Sequence, residues 1–79
     1  MAAIQVDHEL DARGLLCPMP IVKTAKAMKE LAPGEVLKLM ATDRGSVTDV
    51  PAWTETTGNE LLERHEEDGV FVFLIRKTE

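Results

Sequence analysis

Leu15-Leu16-Cys17-Pro18-Met19-Pro20 is the stretch that decides the fold, because here an extended segment gives way to a helix. Proline is favoured at the first helical position: its missing N–H has no partner there in any case, and its φ is already close to helical. Pro18 is therefore read as the first helical residue and Cys17 as the N-cap. Pro20 is then the third helical residue, another position whose N–H lies outside the intrahelical ladder. Two of the first three amides are removed, which leaves the Met19 N–H as the free donor nearest the sulfur. A helix N-terminus carries about half a unit of positive charge. Cysteine ionises more readily in such a place, so Cys17 is expected to titrate below its ordinary value of about 8.5. A lone cysteine often serves as a small buried hydrophobe, but Cys-Pro-x-Pro at a helix start is hard to explain as packing.

On the N-terminal side, Ile4, Val6, His8 and Leu10 alternate with Gln5, Asp7, Glu9 and Asp11, the period-two pattern of a half-buried strand. Arg13-Gly14 breaks that strand, with Gly14 free to take a positive φ in the turn toward Cys17. Arg13 is either an exposed loop residue or a neighbour that supports an anion on the sulfur. On the C-terminal side the helix runs from Pro18 to about Leu31. Ile21, Ala25, Met28 and Ala32 share one face with Val22 and Leu31 on its shoulders, while Lys23, Lys26 and Glu30 lie opposite. Pro33-Gly34 ends it. Lys23 and Lys26 are either a solvated face or a docking patch for an acidic partner surface. Val36–Ala41 reads as a second strand. Strand, helix and strand together predict a right-handed parallel βαβ unit, in which functional residues gather beyond the carboxyl ends of the strands. Asp43 and Arg44 thereby become neighbours of Cys17 through topology.

A second helix covers about Ser46–Thr57. Ser46-Val47-Thr48-Asp49 matches a capping box, but that start carries Pro51 beyond the tolerated first turn, so a start at Thr48 or Asp49 is preferred. Val50 and Trp53 should pack on the sheet, and Gly58 is a fitting C-cap. Glu60–Glu67 and Val70–Arg76 flank Asp68-Gly69, a strong hairpin signal. Residues 70–75 are apolar at every position, which places them centrally in the sheet. Two helices on one face leave the other face to be shielded by long side chains or to bind something. His65 falls on the polar side of its strand. The predicted fold class is α+β: one domain over residues 1–79, βαβαββ, with two helices on one face of a four-stranded mixed sheet.

With 79 residues, 44% hydrophobic and 29% charged, the composition is that of a soluble globular domain with one modest core. No apolar run approaches the ~20 residues of a membrane span, and Met1 to Asp7 lacks the basic start and apolar run of a signal peptide. A single cysteine forms no internal disulfide, which points to the reducing cytoplasm. A net charge of −5 argues against direct nucleic-acid binding; it suits docking onto basic patches of partners, and equally suits simple solubility. With one Cys, His8 and His65, a zinc site would lack its usual fourth ligand unless a carboxylate served, so no metal is expected. Neither histidine lies in a recognisable dyad with Cys17, as a nucleophilic hydrolase would need. No turnover-type active site is evident.

Asp11-Ala12-Arg13-Gly14-Leu15-Leu16-Cys17-Pro18-Met19-Pro20 resembles the N-terminal signature of the TusA-like (SirA-like) sulfur carriers: a short strand, a Gly, then Cys-Pro-x-Pro opening a helix. The resemblance continues through Ala41-Thr42-Asp43, Asp49-Val50-Pro51-Ala52-Trp53, Thr57-Gly58-Asn59-Glu60-Leu61 and the closing apolar strand. It implies the same fold, one shared with the C-terminal domain of bacterial translation initiation factor three. It also implies that Cys17 carries sulfane sulfur covalently as a persulfide, with no other cofactor. Gly14, Pro18, Met19, Pro20, Arg13, Asp43 and Arg44 would support it, and Lys23 and Lys26 would meet partners. Those partners are protein donors of the cysteine desulfurase or rhodanese-like kind and protein acceptors in tRNA thiolation, molybdenum-cofactor synthesis or sulfur oxidation. The carrier itself is expected to be a monomer. Some relatives have His where this chain has Asn59, and some a second Cys where it has Thr54, so a resolving cysteine within the chain is excluded. The Gly-Asn-Glu-Leu run and the closing Phe-Leu-Ile-Arg-Lys are similar to members from sulfur oxidisers. Two other classes stand beside the carrier: a thiol redox protein or sensor, which would also use a low-pKa cysteine, and a non-catalytic interaction or RNA-binding module.

Overall fold

The computed structural model describes residues 4–78. The order is β1 (His8–Ala12), α1 (Met19–Met28), β2 (Val36–Ala41), α2 (Ser46–Thr57), β3 (Glu60–Glu67) and β4 (Val70–Arg76). The strands form one sheet in the order β1-β2-β4-β3. β1 pairs parallel with β2, and β4 pairs antiparallel with both β2 and β3. This is the expected βαβαββ architecture, with the apolar β4 in the interior of the sheet. The leader-like signal sought at the N-terminus falls partly on Met1 to Ala3, which lie outside the described residues. Among those described, no helix is long and apolar enough to cross a membrane.

The core follows the alternation of β2 and β4. Leu37, Leu39 and Ala41 from β2 and Phe71, Phe73 and Ile75 from β4 are buried with Met28, Leu31 and Val50 from the helical layer. Trp53 packs against this cluster while half-buried. On the opposite face Val72 and Leu74 are only 6% and 8% exposed although no helix lies over them. In register, Val72 sits between Met40 and His65, and Leu74 between Lys38 and Glu63. Long side chains of the flanking strands therefore shield this face, the first of the two expected solutions. His65 lies exposed between Glu63 and Glu67, at 3.8 and 3.7 Å.

Three local expectations are corrected. β1 begins at His8 and runs on to Ala12 instead of starting near Ile4, because its length is set by pairing with β2 from Leu37 to Ala41. The buried positions of α1 are Pro20, Thr24 and Met28; of the expected face, Met28 is in the core and Ile21 packs against it half-buried, while Ala25 is half-buried and Ala32 exposed. Thr24 is admitted to the interior because its hydroxyl donates to the Pro20 carbonyl at 2.7 Å, leaving no unmet polar group. Finally, α2 begins at Ser46 and keeps Pro51 inside. Pro51 cannot donate to the carbonyl four residues back. That carbonyl, Val47 O, instead accepts from the Arg64 guanidinium at 3.4 Å. A neighbouring strand supplies a partner that the helix alone lacks. Gly58 ends α2 in the left-handed conformation at φ 80°, as expected.

Candidate functional site

Both βα connections end at the same edge of the molecule because β1 and β2 run parallel. The starts of α1 and α2 are thereby brought side by side, and Cys17 lies between them, exposed. The two connections are tied together where the Gly14 N–H donates to Thr42 Oγ1 at 2.8 Å. Gly14 makes its turn at φ 82°, in the region that favours glycine.

The sulfur's environment differs from the one expected. Pro18 sits at φ −95°, ψ 11° and is the N-cap, so α1 starts at Met19 and Cys17 lies one residue outside the cap, with buried Pro20 as the second helical residue. The Met19 N–H is not free for the sulfur; it donates to the Leu16 carbonyl at 2.9 Å. What meets the cysteine is acid. The Cys17 thiol donates to Asp49 Oδ2 at 3.1 Å, and the Cys17 N–H donates to Asp43 Oδ2 at 3.2 Å. The hydrogen bond to Asp49 pushes the thiol above its ordinary range; partial desolvation and the charges of Asp49 and Asp43 act in the same direction. A depressed Cys17 pKa is therefore not what this geometry produces. Carboxylates at hydrogen-bond distance outweigh half a unit of helix charge whose nearest amide is already engaged.

Gly45 makes the convergence possible. A Cβ there would come 3.0 Å from Asp43 Oδ2, 3.6 Å from Asp49 Oδ2 and 3.8 Å from Cys17 Cβ. Asp49, Gly45 and Thr42 were not among the expected site residues. One signal could have found Asp49. It is the acidic residue in the first turn of α2, and in a parallel βαβ unit the next helix also starts at the functional end of the sheet.

The expected supporting residues divide. Asp43 is at the site. Arg13 instead pairs with Asp11, Nε to Oδ1 at 2.8 Å and Nη2 to Oδ2 at 2.9 Å, an ion pair that holds the Asp11 carboxyl down to about 2. Arg44 faces a cavity bounded by Val47, Arg64, Phe71 and Phe73. Lys23 and Lys26 line a shallow groove with His8, Leu10 and Glu30, on the β1 side of α1. In the segment that flanks Cys17 and opens α1, large apolar side chains stand in solvent: Leu16 is 72% exposed, Met19 42% and Val22 50%.

Comparison with known proteins bears on the fold and the family. The family profile described as "Sulfurtransferase TusA" matches residues 8–77. The chain is 51% identical over 72 residues to the sulfur carrier protein TusA of Allochromatium vinosum, covering 91% of this chain and 95% of that one. It is 43% identical over 72 residues to the sulfur carrier protein TusA of Pseudomonas paraeruginosa, covering 91% of each. Among solved structures, a SirA-like protein from Desulfitobacterium hafniense superposes with a TM-score of 0.80 at 30% identity, covering 91% of this chain and 99% of that one. With a family match over residues 8–77, this extent of identity and a shared fold, the chain belongs to the TusA (SirA-like) family.

Proposed function

We propose that this protein is a sulfur carrier that accepts sulfane sulfur as a persulfide on Cys17 and passes it to an acceptor protein. The observation that carries the reading is the placement of the chain's single thiol: exposed, at a convergence of two loops, in a segment whose Leu16, Met19 and Val22 are exposed too. Exposed apolar side chains in the same segment as a reactive atom suit contact with another protein. The names of the relatives support a carrier role. Neither histidine makes a hydrogen bond to Cys17, whose thiol donates to Asp49. A hydrolytic dyad is thus unsupported. A redox sensor would use a readily ionised thiol, and Asp49 and Asp43 push the Cys17 thiol up; sulfur transfer also passes through the thiolate, so this feature does not separate the two readings. Donors of the cysteine desulfurase or rhodanese-like kind, and acceptors in tRNA thiolation, molybdenum-cofactor synthesis or sulfur oxidation, are the partners this reading calls for.

Incubation with polysulfide should add about 32 Da per sulfur atom, reversed by reductant as thiol exchange requires. Protein whose Cys17 has first been alkylated should gain nothing; equal gain by the blocked protein would end the carrier reading. A second outcome concerns docking. Lys23 and Lys26 stand on the exposed side of α1, the helix that begins beside the sulfur. Charges at an interface rim act mainly on encounter rate. The double change Lys23→Glu, Lys26→Glu should therefore slow transfer from a persulfidated donor protein severalfold at low salt and leave loading by polysulfide unchanged. Equal slowing with both donors would place the lysines' effect on Cys17 itself, and no slowing would return them to a solvated face.

A further inference from the structure

We propose that Asp49 is a positioning residue that latches Cys17: its carboxylate keeps the bare carrier as the thiol and makes Cys17 a reluctant leaving group once it is loaded. The latch rests on the carrier reading for its second half only.

The geometry is specific. Asp49 Oδ2 lies 3.1 Å from Cys17 Sγ and accepts its proton, while Asp43 is committed to the Cys17 amide. No cation of the chain offsets them among the described residues. Arg13 is paired with Asp11, Arg44 lines a different cavity, Lys23 and Lys26 lie in the groove toward β1, and the first turn of α1 contributes no charge. The charged groups facing the sulfur are thus Asp49 from α2 and Asp43 from the β2–α2 loop, and both oppose a thiolate.

Two consequences follow from thiol exchange chemistry. Bare Cys17 reacts as the thiolate, so a carboxylate that retains its proton slows attack on small electrophiles and oxidants. In the loaded carrier, a small thiolate R–S⁻ attacks the outer sulfur of Cys17–S–SH. The new bond is R–S–SH, the S–S bond to Cys17 breaks, and its electron pair stays on Cys17 as S⁻, which then takes a proton and returns to Asp49. No external oxidant or reductant enters. Departure is slower the less stable that leaving thiolate is, so Asp49 also protects the cargo from small thiols until an acceptor docks.

The test uses the full chain with Asp49→Asn, Asp49→Ser and Asp43→Asn, each checked for native circular dichroism. Alkylation by iodoacetamide is followed against pH, with the ultraviolet absorbance of the thiolate as a second readout. Both Asp49 variants should alkylate severalfold faster at neutral pH, with the midpoint moved down, and Asp43→Asn should move it less. Above both midpoints the order should reverse, because a less basic thiolate is a weaker nucleophile; a merely loosened site would be faster at every pH. Protein loaded with polysulfide and then given reduced glutathione should lose sulfur faster in the Asp49 variants. Unchanged pH profiles in both Asp49 variants would overturn the latch. Failure of the wild-type protein to load would overturn the carrier reading and the loaded half of the proposal, with the alkylation profile still deciding whether Asp49 holds the bare thiol.

Discussion

A Cys17→Ser protein is expected to take up no sulfur, from polysulfide or from a persulfidated donor protein, while its urea unfolding midpoint stays at the wild-type value. The loss should be complete because the chain has one cysteine, and a serine oxygen neither attacks a persulfide at neutral pH nor holds the transferred sulfur. The fold should be indifferent because Cys17 is exposed and outside the core, and a serine hydroxyl can donate to Asp49 much as the thiol does. Surface changes of this kind fall within about 0.5 kcal/mol. Intact mass after loading and a denaturation curve together separate chemistry from folding. A serine variant that still gained sulfur would remove Cys17 from the mechanism, and one that lost stability heavily would give the thiol a structural role.

Phe73→Ala is expected to do the reverse and remove the fold. Phe73 is 2% exposed, sits opposite Leu39 of β2 in the interior strand, and belongs to the cluster that joins sheet and helices. Truncating a buried phenylalanine costs about 3–5 kcal/mol through lost transfer free energy and the cavity left behind. A 79-residue domain has roughly 4–12 kcal/mol in total at typical stability per residue. The variant should therefore be largely unfolded or unfold at much lower urea. Val22→Ala, at a position half exposed on α1, should change stability by less than about 0.5 kcal/mol. A Phe73→Ala protein as stable as Val22→Ala would mean that the core does not pass through β4.

The fold was legible because each element carries a local reason for its type. Alternation marks β2, the uninterrupted apolar run marks an interior β4, and Asp68-Gly69 adopts the positive φ pair, 49° and 81°, that closes a hairpin. The element boundaries were less legible where a remote partner decides them. Pro51 argued for a late start to α2, and only Arg64, reaching from β3 to the orphaned Val47 carbonyl, made the earlier start affordable. The buried ridge of α1 was read from apolar residues alone, whereas Thr24 enters the core by bonding its own helix's backbone.

By itself the sequence determined the βαβαββ order, the interior place of β4 and the place of the single thiol just ahead of a helix, because these depend on periodicity, turn chemistry and the presence of one cysteine in a Cys-Pro-x-Pro run. Tertiary structure alone decided what surrounds that thiol. Asp49 is thirty-two residues from Cys17 in the chain and 3.1 Å from its sulfur in the fold, and Gly45 gives the space in which Asp43 and Asp49 converge on it. A pKa responds to charge at a few ångströms, through hydrogen bonding and local desolvation. The helix start suggested an easily ionised thiol, and two carboxylates carried there by the second βα unit reversed the sign.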